Sequence, residues 1–140
     1  MVVVAVVSGT TKPNSVVVEA ARQADDHGTN VHVLYVQGLS WYANLELVLS
    51  GRLGISTGIE TIREICERKA ERIAEPVLDD YEAVGLVGRP IAEISQYVRQ
   101  VDGDCVVLDS EASLGAGLKS LSWDPLKELR EKGIPVVPVY

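Results

Sequence analysis

At 140 residues with a net charge of −7 and a pI near 4.8, the chain is sized for a single domain spanning 1–140 and lacks the basic surface that a nucleic-acid backbone requires. Its apolar runs fall short of the roughly 20 residues that span a bilayer, and a chain of this length buries roughly two-thirds of its unfolded surface without a disulfide staple. Cys66 and Cys105 fall in a predicted helix and a predicted strand; with no signal peptide expected ahead of the first apolar run, both are expected as reduced core thiols in a cytoplasmic protein.

Val2 to Val7 is wholly apolar and stops at Ser8-Gly9-Thr10-Thr11-Lys12-Pro13, the pattern of a buried strand feeding a loop. Asn14 or Ser15 is placed to cap the helix that follows, in which Val17, Ala20, Ala21 and Ala24 fall at helical spacing and Gly28 supplies a left-handed stop. Val31 to Val36 is a second strand, and two strands around one helix make a β-α-β unit with a right-handed crossover. From Leu39 to Ser56 the sequence suggests a short helix and a turn, with Trp41 and Tyr42 as core or dimer contacts. Thr57 and Glu60 have the spacing of a capping box. The helix after them carries Ile59, Ile62, Cys66, Ile73 and Val77 on one stripe, spaces Glu64 and Arg68 as an ion pair, and ends or kinks at Pro76.

A third strand runs from Tyr81 to Val87, interrupted at Gly85. Pro90 opens a helix whose seam is Ile91, Ile94, Val98 and Val101. After an Asp102-Gly103-Asp104 turn, Cys105 to Leu108 forms a fourth strand, apolar throughout and so covered on both faces as in parallel sheets. Asp124 and Pro125 cap a last helix closed by Lys132 and Gly133, and Pro135 to Tyr140 is a fifth strand that its two prolines place at a sheet edge. Strands alternating with helices give an α/β fold, an open, doubly wound parallel sheet, whose ligands sit beyond the carboxyl ends of the strands.

The loops after Val7 and Leu108 are therefore where a site is expected. Gly115 to Ser120 is not a phosphate loop, because Leu118 stands where a glycine must precede Lys119. Ser110 has no Gly-x-Ser-x-Gly elbow, and no Cys/His spacing suggests a metal. His27 and His32 read as structural, and Asp109, Glu111 and Asp124 as capping or solvated carboxylates rather than cation ligands. No catalytic residue and no metal ligand is expected.

Five segments taken in order, Val2-Val3-Val4-Ala5-Val6, His32-Val33-Leu34-Tyr35-Val36, Gly88-Arg89-Pro90-Ile91-Ala92-Glu93-Ile94, Asp104-Cys105-Val106-Val107-Leu108 and Gly133-Ile134-Pro135-Val136-Val137-Pro138-Val139, resemble the universal stress protein family across nearly the whole chain. The resemblance implies five strands in the order 3-2-1-4-5 and a homodimer built through the last strand, with Val136, Val137 and Val139 at the interface. Nucleotide-binding members typically carry an Asp at the end of the first strand and a Gly-x-x-Gly element after the fourth, followed by Gly-Ser or Gly-Thr. Aligned through the terminal Pro-Val-Val, these positions fall on Val7, on Asp109 and Ala112, and on Ser122-Trp123, with Ser8 one residue beyond the first.

A side chain at a cradle position obstructs the close backbone approach that holds a phosphate. Asp109 adds a carboxylate there, and two like charges about 4 Å apart repel by about 4 kcal/mol at an effective dielectric of about 20, roughly a thousandfold in affinity. The expectation is a non-enzymatic stress-response or regulatory module that lacks the usual ATP site and a cofactor, acting through dimerisation and an unidentified protein or small-molecule partner. The alternative is an adenine-nucleotide or small-metabolite binder using the crevice lined by Val7, Ser8, Gly9, Thr10, Val36, Asp109, Ser110, Ser113, Gly115 and Ser122.

Overall fold

The computed structural model describes residues 2–38, 58–112 and 124–140. In chain order these form β1 (Val2–Val6), α1 (Pro13–His27), β2 (Asn30–Gly38), α2 (Gly58–Ala74), β3 (Tyr81–Gly88), α3 (Pro90–Val101), β4 (Gly103–Asp109), α4 (Pro125–Glu131) and β5 (Val136–Val139). The five strands make one parallel sheet in the order β3-β2-β1-β4-β5, the α/β architecture expected. The expected turn and helix over Leu39 to Ser56, and Thr57 of the capping box, lie outside the described residues.

The unbroken apolar run of β1 follows from its central place. Successive side chains of a strand point to opposite faces, so Val2, Val4 and Val6 pack with Leu34, Val106 and Leu108 beneath Ile91, Ile94 and Val98 of α3 and Leu126 and Leu129 of α4. Val3, Ala5 and Val7 face the other way, toward Val16, Val17, Ala20 and Ala24 of α1 and Ala70 and Ala74 of α2. Both faces are covered, and no position on β1 tolerates a polar residue. Fully burying a valine or leucine side chain stabilises by about 1.5–3 kcal/mol, so these two layers dominate the fold. No helix among the described residues is long and apolar enough to cross a membrane.

Several local expectations are met and several corrected. Gly28 ends α1 at φ 62°, and Asp124 caps α4, its Oδ1 accepting from the amides of Leu126 at 3.0 Å and Lys127 at 3.4 Å. The cap of α1, however, is Lys12 with Pro13 as the first helical residue, so neither Asn14 nor Ser15 has that role; proline's fixed φ suits the first turn, where its missing N–H has no partner to lose. The buried seam of α2 is Cys66, Ala70 and Ala74, and Ile59 is 42% exposed. Small residues form that seam because the helix lies close to the sheet. Its ion pair joins Arg63 to Glu60 at 3.3 Å, rather than Glu64 to Arg68. Asp102 takes the left-handed turn after α3, at φ 54°, and Gly103 and Asp104, expected in that turn, already belong to β4.

Gly85 does not interrupt β3. It lies within the continuous pairing of β2 with β3, and a Cβ built on it would press against the carbonyl oxygen of Arg63, with the Glu67 nitrogen at 2.7 Å and the Cys66 Cβ at 2.9 Å. The glycine is the notch into which the backbone of α2 settles.

Candidate functional site

The order of the sheet reverses between β1 and β4, and the carboxyl ends of these two strands are where a doubly wound fold holds ligands. Their loops meet there. Thr10 Oγ1 donates to Asp109 Oδ2 at 2.6 Å, joining residues 99 apart in sequence. The backbone amide of Lys12 donates to Thr10 Oγ1 at 3.0 Å, which leaves the hydroxyl proton directed at the carboxylate. The Lys12 ammonium stands 3.7 Å from Asp109 Oδ1, and the Glu111 amide donates to that same oxygen at 2.9 Å. Gly9 makes the turn that brings Thr10 round, at φ 68°, a conformation that costs glycine little.

Asp109 is 3% exposed. Burial alone pushes its carboxyl pKa up, but the Thr10 hydroxyl, the Glu111 amide and the Lys12 ammonium outweigh burial together and hold the pKa below the ordinary value of 3.8. The carboxylate is ionised at neutral pH and has a donor on each oxygen. Lys12 is about one-third exposed, so its Coulombic share is screened to about 1 kcal/mol or less; hydrogen bonds to the charged group, worth about 1.5–3 kcal/mol each, carry more of the arrangement.

The other expected site residues divide into four sets. Ser8 is 4% exposed, and its Oγ accepts from the amide of Val36 at 3.0 Å, so it braces β1 against β2. Val7 and Val36 are core side chains on opposite faces of the sheet. Ser110 is half-buried, and its amide donates to the Val139 carbonyl at 2.8 Å. Ser113, Gly115 and Ser122 lie outside the described residues, as do Gly117, Lys119 and Trp123. A cavity of about 460 Å³ opens on the neighbouring side, lined by Asn14, Ser15, Val18 and Glu19 of α1 with Pro138, Val139 and Tyr140.

Sequence reasoning named both Thr10 and Asp109 but as two ligand contacts, not as partners of each other. Lys12 stood only as part of the loop after β1, and Glu111 as a capping or solvated carboxylate. The signal available was topological: β1 and β4 adjoin in the order 3-2-1-4-5, which sets their following loops side by side.

Away from this corner, His32 Nδ1 lies 2.6 Å from the Tyr97 hydroxyl, and burial raises the Tyr97 pKa to about 12. His27 Nδ1 sits 2.7 Å from the Gln23 carbonyl on its own helix. Both histidines are tied to structure. Cys66 and Cys105 are 2% and 6% exposed, and burial pushes both thiols up, which disfavours the reactive thiolate.

No protein-family model matches the chain, and neither does any curated protein. Solved structures do. The universal stress protein UspA from Lactobacillus plantarum is 17% identical, with 100% of this chain and 97% of that one covered at a TM-score of 0.65. A universal stress protein solved in complex with cAMP is 16% identical over 100% and 96% of the two chains, TM-score 0.62. One from Archaeoglobus fulgidus in complex with dAMP is 18% identical over 99% and 96%, TM-score 0.60. The strand order, the covered sheet and these full-length superpositions agree: the fold of this chain is that of the universal stress proteins.

Proposed function

We propose that this chain is a stress-response or regulatory module without catalytic machinery, in which the usual ATP site is closed and the work is done by self-association and by a protein or small-ligand partner. The observation that carries this reading is the buried Asp109 carboxylate, held by Thr10, Lys12 and the Glu111 amide at the mouth of β1 and β4. These are the donors a phosphate there would need, and they are already engaged by a negative charge. A phosphate entering beside Asp109 would meet a like charge instead of a cradle. Titrating the protein with ATP and Mg²⁺ by calorimetry is expected to give no heat of binding at micromolar strength; a micromolar complex contradicts the closed site.

The self-association reading places a homodimer on β5. The Val106 amide bonds the Pro135 carbonyl and the Ser110 amide bonds the Val139 carbonyl, so by alternation Val137 and Val139 face β4 while the N–H and C=O of Val136 point to the open edge. An unpaired edge is a template for another strand. Light scattering is expected to give a dimer for the wild type and a monomer for Val136→Pro, which removes the outward N–H but no bond within the sheet; a monomeric wild type contradicts the dimer. The two buried thiols suit a reducing compartment, consistent with a cytoplasmic setting.

The second reading, an adenine-nucleotide binder, is favoured by two fold neighbours having been solved with cAMP and dAMP. It requires Asp109 to leave its partners or the ligand to avoid them. Native mass spectrometry of the purified protein separates the two, since a co-purified nucleotide supports the second reading alone.

A further inference from the structure

Among the described residues β5 pairs with β4 alone, and a cavity of about 460 Å³ lies between the end of this edge strand and the start of α1. Four large apolar side chains are exposed among the described residues: Val18 at 56%, Ile59, Ile65, and Tyr140 at 88%. Two of the four, Val18 and Tyr140, line this one cavity. Scattered apolar side chains are ordinary on a solvated surface, whereas a cluster beside an unpaired strand edge marks a contact face.

Charge does not keep a second copy away. The side chains of residues 133–140 carry none. The Glu19 carboxylate on the cavity wall is turned along its own helix, one oxygen taking Arg22 Nη2 at 2.6 Å and the other Arg22 Nε at 2.7 Å.

Sheet geometry then says which side chains of a second copy arrive. Val137 and Val139 pack on the α1 side of the sheet. Residues directly opposite each other in an antiparallel pair point to the same face, and a strand paired with its own copy about a two-fold axis sets odd-numbered residues opposite odd-numbered ones. In every such register the copy of β5 turns its own Val137 and Val139 into the layer that holds the cavity.

We propose that this groove is the second half of the dimer contact: the α1-facing valines of the second copy's β5 fill it against Val18, and each copy does the same for the other. The inference rests on the self-association reading above and deepens it, carrying the contact from the backbone of β5 onto the first two turns of α1.

The test compares the wild type, Val18→Glu and Ile65→Glu by sedimentation over a dilution series. Val18→Glu is expected to weaken the dimer at least about tenfold, because it buries a charge in the contact, and to leave the circular-dichroism spectrum unchanged. Ile65→Glu adds the same charge at another exposed site and is expected to leave the dimer as it is. Thiol labelling is the second readout. Both native cysteines are buried, so the thiol of Val18→Cys is the exposed one, and it is expected to react at least about tenfold more slowly than in Val18→Cys combined with the monomeric Val136→Pro. A wild-type dimer that Val18→Glu leaves intact overturns the proposal while the β5 dimer stands, as does a Val18→Cys thiol that reacts equally fast in both backgrounds. A monomeric wild type defeats the self-association reading itself. A small molecule retained by the wild type and lost from Val18→Glu, with the dimer unchanged, assigns the groove to a ligand and likewise overturns the proposal.

Discussion

Gly85→Ala is expected to cost about 3 kcal/mol or more and to lower the melting temperature by roughly 10 °C or more. The added methyl meets backbone on the facing helix, the Arg63 carbonyl oxygen and the Glu67 nitrogen, with the Cys66 Cβ behind them. A flexible side chain could turn aside; the backbone of α2 cannot, so the whole helix must lift from β3 and expose Cys66, Ala70 and Ala74, which form its buried seam. Gly133→Ala is the control, because that glycine's Cβ would meet nothing within 4 Å and only its φ of 80° is strained. Circular-dichroism melts of the two variants decide the matter. A Gly85→Ala protein as stable as Gly133→Ala contradicts the close packing of α2 on β3.

Asp109→Asn is the second substitution with a large expected effect, about 2 kcal/mol at neutral pH by chemical denaturation. The amide has nearly the same shape, so what changes is the charge. Bonds from Thr10 and Glu111 become neutral ones of roughly half the strength, and the amide nitrogen becomes a donor in the company of donors. The pH dependence follows from linkage. Because the folded carboxyl titrates below its ordinary value of 3.8, its contribution is present above that pH and is lost as pH falls through the folded value. The gap between the wild type and Asp109→Asn is therefore expected to hold from neutral pH down to about 4 and to close below it. A gap that stays constant into acid contradicts the charged, hydrogen-bonded carboxylate.

These two positions also mark what the sequence made legible. The strands declared themselves because each central one is apolar on both faces, and that pattern has no other economical explanation in a chain of alternating helices. The sheet order came through the resemblance, and the structure bears it out. Gly85 was misread because glycine inside a strand looks like weakness in one dimension; its reason is a helix that touches it from the third, and nothing local announces that approach. Ile59 and the Glu64 to Arg68 spacing were misread for a related cause, since a stripe drawn on an ideal helix does not say how closely the helix will settle. Small residues, Ala70 and Ala74, turned out to carry the contact.

The candidate site was half legible. The loops after β1 and β4, where a site was expected, do meet, whereas Asp109, read as a capping or solvated carboxylate, is buried and bonded across them. Its satisfaction by Thr10, Lys12 and Glu111 is a relation across 99 residues, and spacing along a chain carries no record of it. Ser8 illustrates the same limit: a hydroxyl at a strand end reads as a ligand contact until its bond to the Val36 amide places it inside the sheet.

The claim on which the functional reading turns is that Asp109 is ionised and bound by its own chain at neutral pH. Following the carbon resonance of the Asp109 side-chain carboxyl through a pH titration, with and without ATP and Mg²⁺, tests it most directly. The account predicts a midpoint below 3.8 that the nucleotide leaves unmoved; a midpoint at or above that value, or one that shifts when ATP is added, contradicts it.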